Sequence, residues 1–188
     1  MNLKQEIIRI SKKFDLTHVG SNLTAIDIIQ HIYSIKKNSE PFILSAGHAH
    51  LAHLLVMNKK NTEKLINKYG IHCDRRAGCD VSTGSLGHGL PIAVGMALAD
   101  RSRNVFCLIT DGECSEGSVS ESLRIAKEQN LKNLKIYINA NGFGGYKKIN
   151  FNQLKKQIAG FSFPVKLIKT NVADYPAYKG LKGHYVKA

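Results

Sequence analysis

The run Val105-Phe106-Cys107-Leu108-Ile109 constrains the fold more than any other segment of the chain. A strand with one face in water alternates apolar and polar residues, so an unbroken apolar run needs cover on both faces. Leu134 to Ile138 is a second, mostly apolar run, and Val165 to Ile168 is a third, interrupted only by Lys166. Pro41 opens a shorter one, Phe42-Ile43-Leu44-Ser45. Helical patterns separate these runs. Leu3, Ile7, Ile8 and Ile10 gather toward one face of residues 3–14, with Lys12 and Lys13 toward the other. A second helix is expected from about Thr24, as N-cap with Asp27 three residues on, to Ile35. Further helices are expected from Gly47 to about Asn58, from Asn61 or Thr62 to about Lys68, and over 86–98, 116–129 and 151–159. Residues 17–22, 69–84 and 139–145 read as loops, and the stretch from about 170 as an irregular basic tail. This alternation predicts an α/β fold, a parallel sheet with helices on both faces. A length of 188 residues fits one domain over 1–188. Such sheets bind ligands at the carboxyl ends of their strands, which points to the loops 46–49, 110–117 and 139–145.

The chain carries 27 Lys and Arg against 14 Asp and Glu, a formal charge of +13. The basic residues are scattered and no nucleic-acid recognition motif accompanies them, so solvated lysine faces explain most of the excess. The same field would attract anionic substrates or an acidic partner subunit. No apolar stretch approaches the ~18 residues of a membrane span, and Met-Asn-Leu-Lys-Gln-Glu has no apolar signal core. A soluble, cytoplasmic protein with no membrane or nucleic-acid partner is expected. Cys73, Cys79, Cys107 and Cys114 form no C-x-x-C pair and read as small reduced thiols. His48, His50 and His53 could suggest a metal cluster, but zinc sites usually add Cys or a distant His, and none is expected here.

The chemistry concentrates in Thr110-Asp111-Gly112-Glu113 and Asn139-Ala140-Asn141-Gly142-Phe143. Asp111 and Asn141 are 141 − 111 = 30 residues apart, room for a strand end, a helix and a second strand end. The two loops would then lie side by side at one sheet edge. Carboxylate, side-chain amide and backbone carbonyl are hard oxygen ligands suited to Mg²⁺ or Ca²⁺. Gly112 lets a phosphate approach the main chain, and the N–H groups after it can cradle that phosphate. A metal-bridged diphosphate is the natural guest, although D-G and N-G dipeptides also serve as plain turns.

Asp111-Gly112, the interval and Asn141 resemble the thiamine-diphosphate motif. Three more segments narrow the resemblance to the N-terminal half of transketolases: His18-Val19-Gly20-Ser21-Asn22-Leu23, Leu44-Ser45-Ala46-Gly47-His48-Ala49, and Ser82-Thr83-Gly84-Ser85-Leu86-Gly87-His88-Gly89-Leu90. The ordered motifs span residues 18–143, and the resemblance fades after about residue 146. It implies a thiamine-diphosphate-binding fold in which Asp111, Asn141 and the Phe143 carbonyl hold Mg²⁺. Gly112, Glu113 and Asn141 would meet the diphosphate, and Gly84, Ser85 and Leu86 the aminopyrimidine. His48 would sit near the diphosphate and thiazolium, His18 would face the sugar, and His72 and His184 would stand for two further family histidines. Thr110 replaces a usual Gly, Asn139 a common acidic residue, and His88 a Gln with no role assigned.

The resemblance also implies an incomplete enzyme. Transketolases add a pyrimidine-binding domain whose Glu activates the cofactor, and nothing in these 188 residues resembles it. The expectation is one subunit of a split transketolase, paired with a separate C-terminal transketolase-like subunit and with itself, as α₂β₂, and moving a two-carbon ketol unit between sugars or sugar phosphates. A deoxyxylulose-phosphate-synthase-like condensation of pyruvate, or a non-catalytic module that keeps the fold, are the alternatives.

Overall fold

The computed structural model describes residues 2–57, 60–145 and 147–188. Four strands, β1 (Phe42–Leu44), β2 (Val105–Thr110), β3 (Leu134–Ala140) and β4 (Val165–Lys169), form one parallel sheet in the order β1-β2-β3-β4. The register explains why the strands carry so few polar residues. Ile43, Cys107, Ile136 and Val165 form one row across the sheet, and Leu44, Leu108, Tyr137 and Lys166 the next. The first row packs on one core with α5 (Gly89–Ala99), α6 (Gly117–Glu128) and α7 (Phe151–Gly160). The second row packs on a core built from α1 (Leu3–Lys13), α2 (Val19–Ile35), α3 (His50–Val56) and α4 (Thr62–Tyr69). Lys166 keeps its charge outside by donating to the Tyr137 hydroxyl at 3.2 Å. Each face of the sheet therefore buries its own set of apolar side chains, as the unbroken runs require.

Several boundaries differ from the sequence reading. α2 begins at Val19 instead of Thr24, and Thr24 is a buried helical residue rather than its cap. Ser21, Asn22 and Thr24 look like loop residues but each is polar for a partner. The Thr24 hydroxyl donates to the Ser21 carbonyl at 3.2 Å and accepts from Asn139 Nδ2 at 3.0 Å. Asn22 donates to the carbonyls of His18 and His48 and accepts from the Ala52 N–H at 2.9 Å. The segment from Gly47 starts as a 3₁₀ turn, Gly47–Ala49, before α3. Its expected end near Asn58 lies outside the described residues. β3 runs on to Ala140, so Asn139 is a strand residue and not part of the loop.

The tail is more ordered than its composition suggests. A 3₁₀ turn at Pro176–Tyr178 leads to a short helix, α8 (Lys182–Tyr185), packed on the start of α2. Close backbone contact makes this possible: a Cβ on Gly183 would lie 1.9 Å from the Tyr178 carbonyl oxygen and 3.2 Å from the Gly20 Cα. The His18 N–H then donates to the His184 carbonyl at 3.1 Å. Among the described residues no helix is long and apolar enough to cross a membrane.

Candidate active site

The loops that follow β1, β2 and β3 meet at one edge of the parallel sheet, the edge where such sheets take ligands. The loop between α4 and α5 comes to the same edge. Cys73 N–H donates to the Gly47 carbonyl at 3.1 Å, and a Cβ on Gly47 would fall 2.3 Å from the Thr83 carbonyl oxygen. Only a glycine lets these two loops touch there.

The Asp111 and Asn141 loops lie side by side. A Cβ on Gly112 would come within 3.3 Å of the Gly144 Cα and 3.9 Å of the Phe143 carbonyl oxygen. The Asp111 carboxylate accepts from the N–H groups of Gly112 at 3.1 Å and Gly142 at 2.7 Å. Asn141 Oδ1 accepts from the Phe143 N–H at 3.0 Å. Burial pushes the Asp111 carboxyl up to about 6, against the opposing pull of those N–H groups. A buried carboxylate, an amide oxygen and a backbone carbonyl on two adjacent loops are a hard donor set that a divalent cation would suit.

Beside them is a cavity of about 190 Å³ whose walls include His18, His48, His72, Gly84, Leu86, Gly112, Asn141, Phe143 and His184. Residues spread over 167 positions, from 18 to 184, are thus brought to one hollow. The His18 and His48 rings are 5.0 Å apart between centroids, and His184 stands 6.0 Å from His18 and 6.4 Å from His48. His18 adopts φ = 60° at the N-cap of α2, a left-handed conformation uncommon outside glycine, and its Nδ1 lies 2.9 Å from the Thr17 hydroxyl. Burial, then the neighbouring imidazoles, lowers His18 to about 4 and His48 to about 3. Burial also lowers His72 and His184. The four rings are therefore neutral at neutral pH, able to accept or donate a hydrogen bond. His48 Nε2 is buried with no hydrogen-bond partner, a polar atom in the wall of the hollow that a guest would satisfy.

Three expected residues stand apart from the cavity wall. Asp111 borders an adjoining cavity of about 170 Å³ with Lys147, Lys148 and Gln153. Ser85 is exposed on the loop before α5. Glu113 needs correction, because its carboxylate is fully buried and already occupied. It accepts from the Ser45 hydroxyl at 2.5 Å, the Gly87 N–H at 3.0 Å and the Thr110 N–H at 2.9 Å. It ties three loops together and has no face left for a ligand. Sequence reasoning missed Thr110, Gly144, Gly145 and Tyr185, which also line the hollow. Tyr185 follows His184 directly, and its hydroxyl donates to the Gly145 carbonyl. That adjacency to His184 is the one signal that could have placed it.

Residues 1–160 match the family described as 1-deoxy-D-xylulose-5-phosphate synthase. Transketolase-like protein 2 of Mus musculus is 40% identical over 122 residues, 57% of this chain and 20% of that protein. An apulose-4-phosphate transketolase subunit of Actinobacillus succinogenes is 29% identical over 171 residues, 77% of this chain and 57% of that protein. The chain thus spans between a fifth and somewhat over half of these relatives. The crystal structure of transketolase from Campylobacter jejuni superposes with a TM-score of 0.69 at 19% identity, over 90% of this chain and 38% of that one. At that identity the superposition establishes the fold.

Proposed function

This chain belongs to the family of 1-deoxy-D-xylulose-5-phosphate synthases and transketolases, in their N-terminal half, and on that premise we propose that it is the diphosphate- and metal-binding subunit of a split transketolase. The observation that carries the reading is the single hollow at the carboxyl edge that gathers His18, His48, His72, Gly84, Leu86, Gly112, Asn141 and Phe143. Asp111, Asn141 and the Phe143 carbonyl would hold Mg²⁺, and Gly112 and Asn141 the diphosphate. Gly84, Ser85 and Leu86 would meet the aminopyrimidine. Residues 1–188 would form one thiamine-diphosphate domain, its tail closed onto α2.

When bound, thiamine diphosphate supplies the nucleophilic carbon that carries a two-carbon ketol unit between sugars. The chain's own residues would bind and orient. The bare lone pair or N–H of His48 Nε2 would meet the guest directly, and His18 and His184 would hydrogen-bond hydroxyls of the sugar. As neutral imidazoles these rings can accept or donate a hydrogen bond at a hydroxyl and so orient it. The relative named as a transketolase subunit supports a second, separately encoded polypeptide, and that polypeptide would supply the activating Glu. Self-association into α₂β₂ would complete the assembly.

The metal assignment is tested by calorimetric titration of thiamine diphosphate into the wild-type chain and into Asp111→Ala, each with and without Mg²⁺. Mg²⁺-dependent binding is expected in the wild type and lost in the variant. Undiminished binding by the variant would remove Asp111 from the site. The family's description favours one second reading, a condensation that consumes pyruvate. Pyruvate consumption by the assembled enzyme, with no ketose required, would select it.

A further inference from the structure

Behind the wall of the hollow lies a second group of side chains that the reaction does not use. His53 Nδ1 is 3.9 Å from Cys73 Sγ and 3.6 Å from Cys79 Sγ, and the three ligand atoms all fall within 4.8 Å of one another. All three residues are buried. His50 stands just outside this trio, one helical turn before His53, and its side chain interacts with the Cys79 thiol. A tetrahedral zinc ion, with bonds of about 2.3 Å to sulfur and about 2.0–2.1 Å to nitrogen, sets S···N separations of about 3.5 Å. The observed pair distances are close to that.

The outer contacts of both imidazoles point the same way. His50 Nδ1 lies 3.2 Å from the Gly70 carbonyl, an acceptor only, so Nδ1 carries the proton and Nε2 is a bare lone pair. That Nε2 is buried and has no hydrogen-bond partner. His53 Nε2 lies 2.8 Å from the Tyr33 hydroxyl, which leaves Nδ1 turned to the two sulfurs. Metal-ligating histidines are held in this way, one nitrogen on the ion and the other on a carbonyl or hydroxyl. Two imidazoles and two thiols gathered in an apolar core need a reason, and a buried imidazole nitrogen without a hydrogen-bond partner, on the His50 side chain that meets the Cys79 thiol, is costly without an ion.

We propose that Cys73, Cys79, His53 and His50 form a structural zinc site. The two thiols release their protons on binding, and two thiolates with one Zn²⁺ make a neutral unit that the core accepts. The spacing hid it: the cysteines that the histidine cluster lacked lie 20 and more residues downstream, in the loop after α4. The site would pin that loop to α3. The same loop carries His72 and Gly84, and the Thr83 N–H donates to the Cys73 carbonyl at 3.1 Å.

Metal analysis of the purified full chain should find one zinc per chain. After exchange with Co²⁺ the chain should show an intense thiolate-to-metal absorption band with tetrahedral d–d bands. Cys73→Ser and Cys79→Ser should lose both signals while Cys107→Ser keeps them. If the serine variants fail to fold, the Co²⁺ spectrum of the wild type decides alone. A wild-type chain that contains no zinc and binds Co²⁺ without thiolate bands would overturn the proposal. So would an intact mass showing Cys73 and Cys79 joined as a disulfide.

Discussion

Asp111 is the residue whose physics is easiest to test without the cofactor. Its folded-state value, about 6, lies above the ordinary 3.8, so the protonated form is favoured by folding. The stabilising contribution is complete below the ordinary value and is lost as pH rises through about 6. Asp111→Asn mimics the protonated form. At pH 8 it should stabilise the unliganded chain by up to about 3 kcal/mol, the worth of roughly two pKa units. The gain should fade as pH falls through about 6, in denaturant titrations read at each pH. An equal effect at pH 8 and pH 4 would mean that the shift is not there. The pair Asp111 and Asn141 was legible in the sequence because its chemistry is local to two loops with a fixed interval. Glu113 was misread for the same reason, since its neighbours Ser45 and Gly87 lie 68 and 26 residues away and only the fold brings them to its carboxylate. His50, His53, Cys73 and Cys79 went unread as a group because no local pattern joins a helix to a distant loop.

At the scale of elements, the apolar runs told more than any propensity. The central strands were found because both faces are covered, and apart from the half-buried β4 at the sheet edge the two rows of the register divide between two cores. The start of α2 was not legible, because helices buried at an active edge carry polar residues for specific partners. The folding of the tail was hidden in Gly20 and Gly183, whose importance is an absent Cβ. Leu108 and Leu86 separate the structural role of an element from its functional one. Leu108 is fully buried in β2, and Leu108→Ala should cost about 2–5 kcal/mol in equilibrium denaturation. Leu86 is 45% exposed on the wall of the hollow, so Leu86→Ala should change stability by no more than about 0.5 kcal/mol. The same Leu86 variant should weaken thiamine diphosphate binding in calorimetry. A large loss of stability with unchanged binding would reverse the two roles.

At the scale of the whole molecule, the chain aligns with 57% of a relative named as a transketolase subunit, and on the proposed reading it would hold one wall of a divided site. The hollow opens at a sheet edge and its histidines wait for a guest, an arrangement that suits closure by a second polypeptide. The net charge of +13 would draw phosphorylated sugars and an acidic partner toward it. The fold class and most of the residues that line the hollow were legible in the ordered motifs that span residues 18–143. What the sequence could not convey was which side chains the topology sends inward. The most direct test of a divided cofactor site is titration calorimetry of thiamine diphosphate with Mg²⁺, on this chain alone and on its mixture with a separately encoded C-terminal transketolase-like polypeptide. Binding that requires Mg²⁺ and tightens when that polypeptide is added is the predicted result. No binding even in the mixture would contradict the account and leave a protein that keeps the fold without its chemistry.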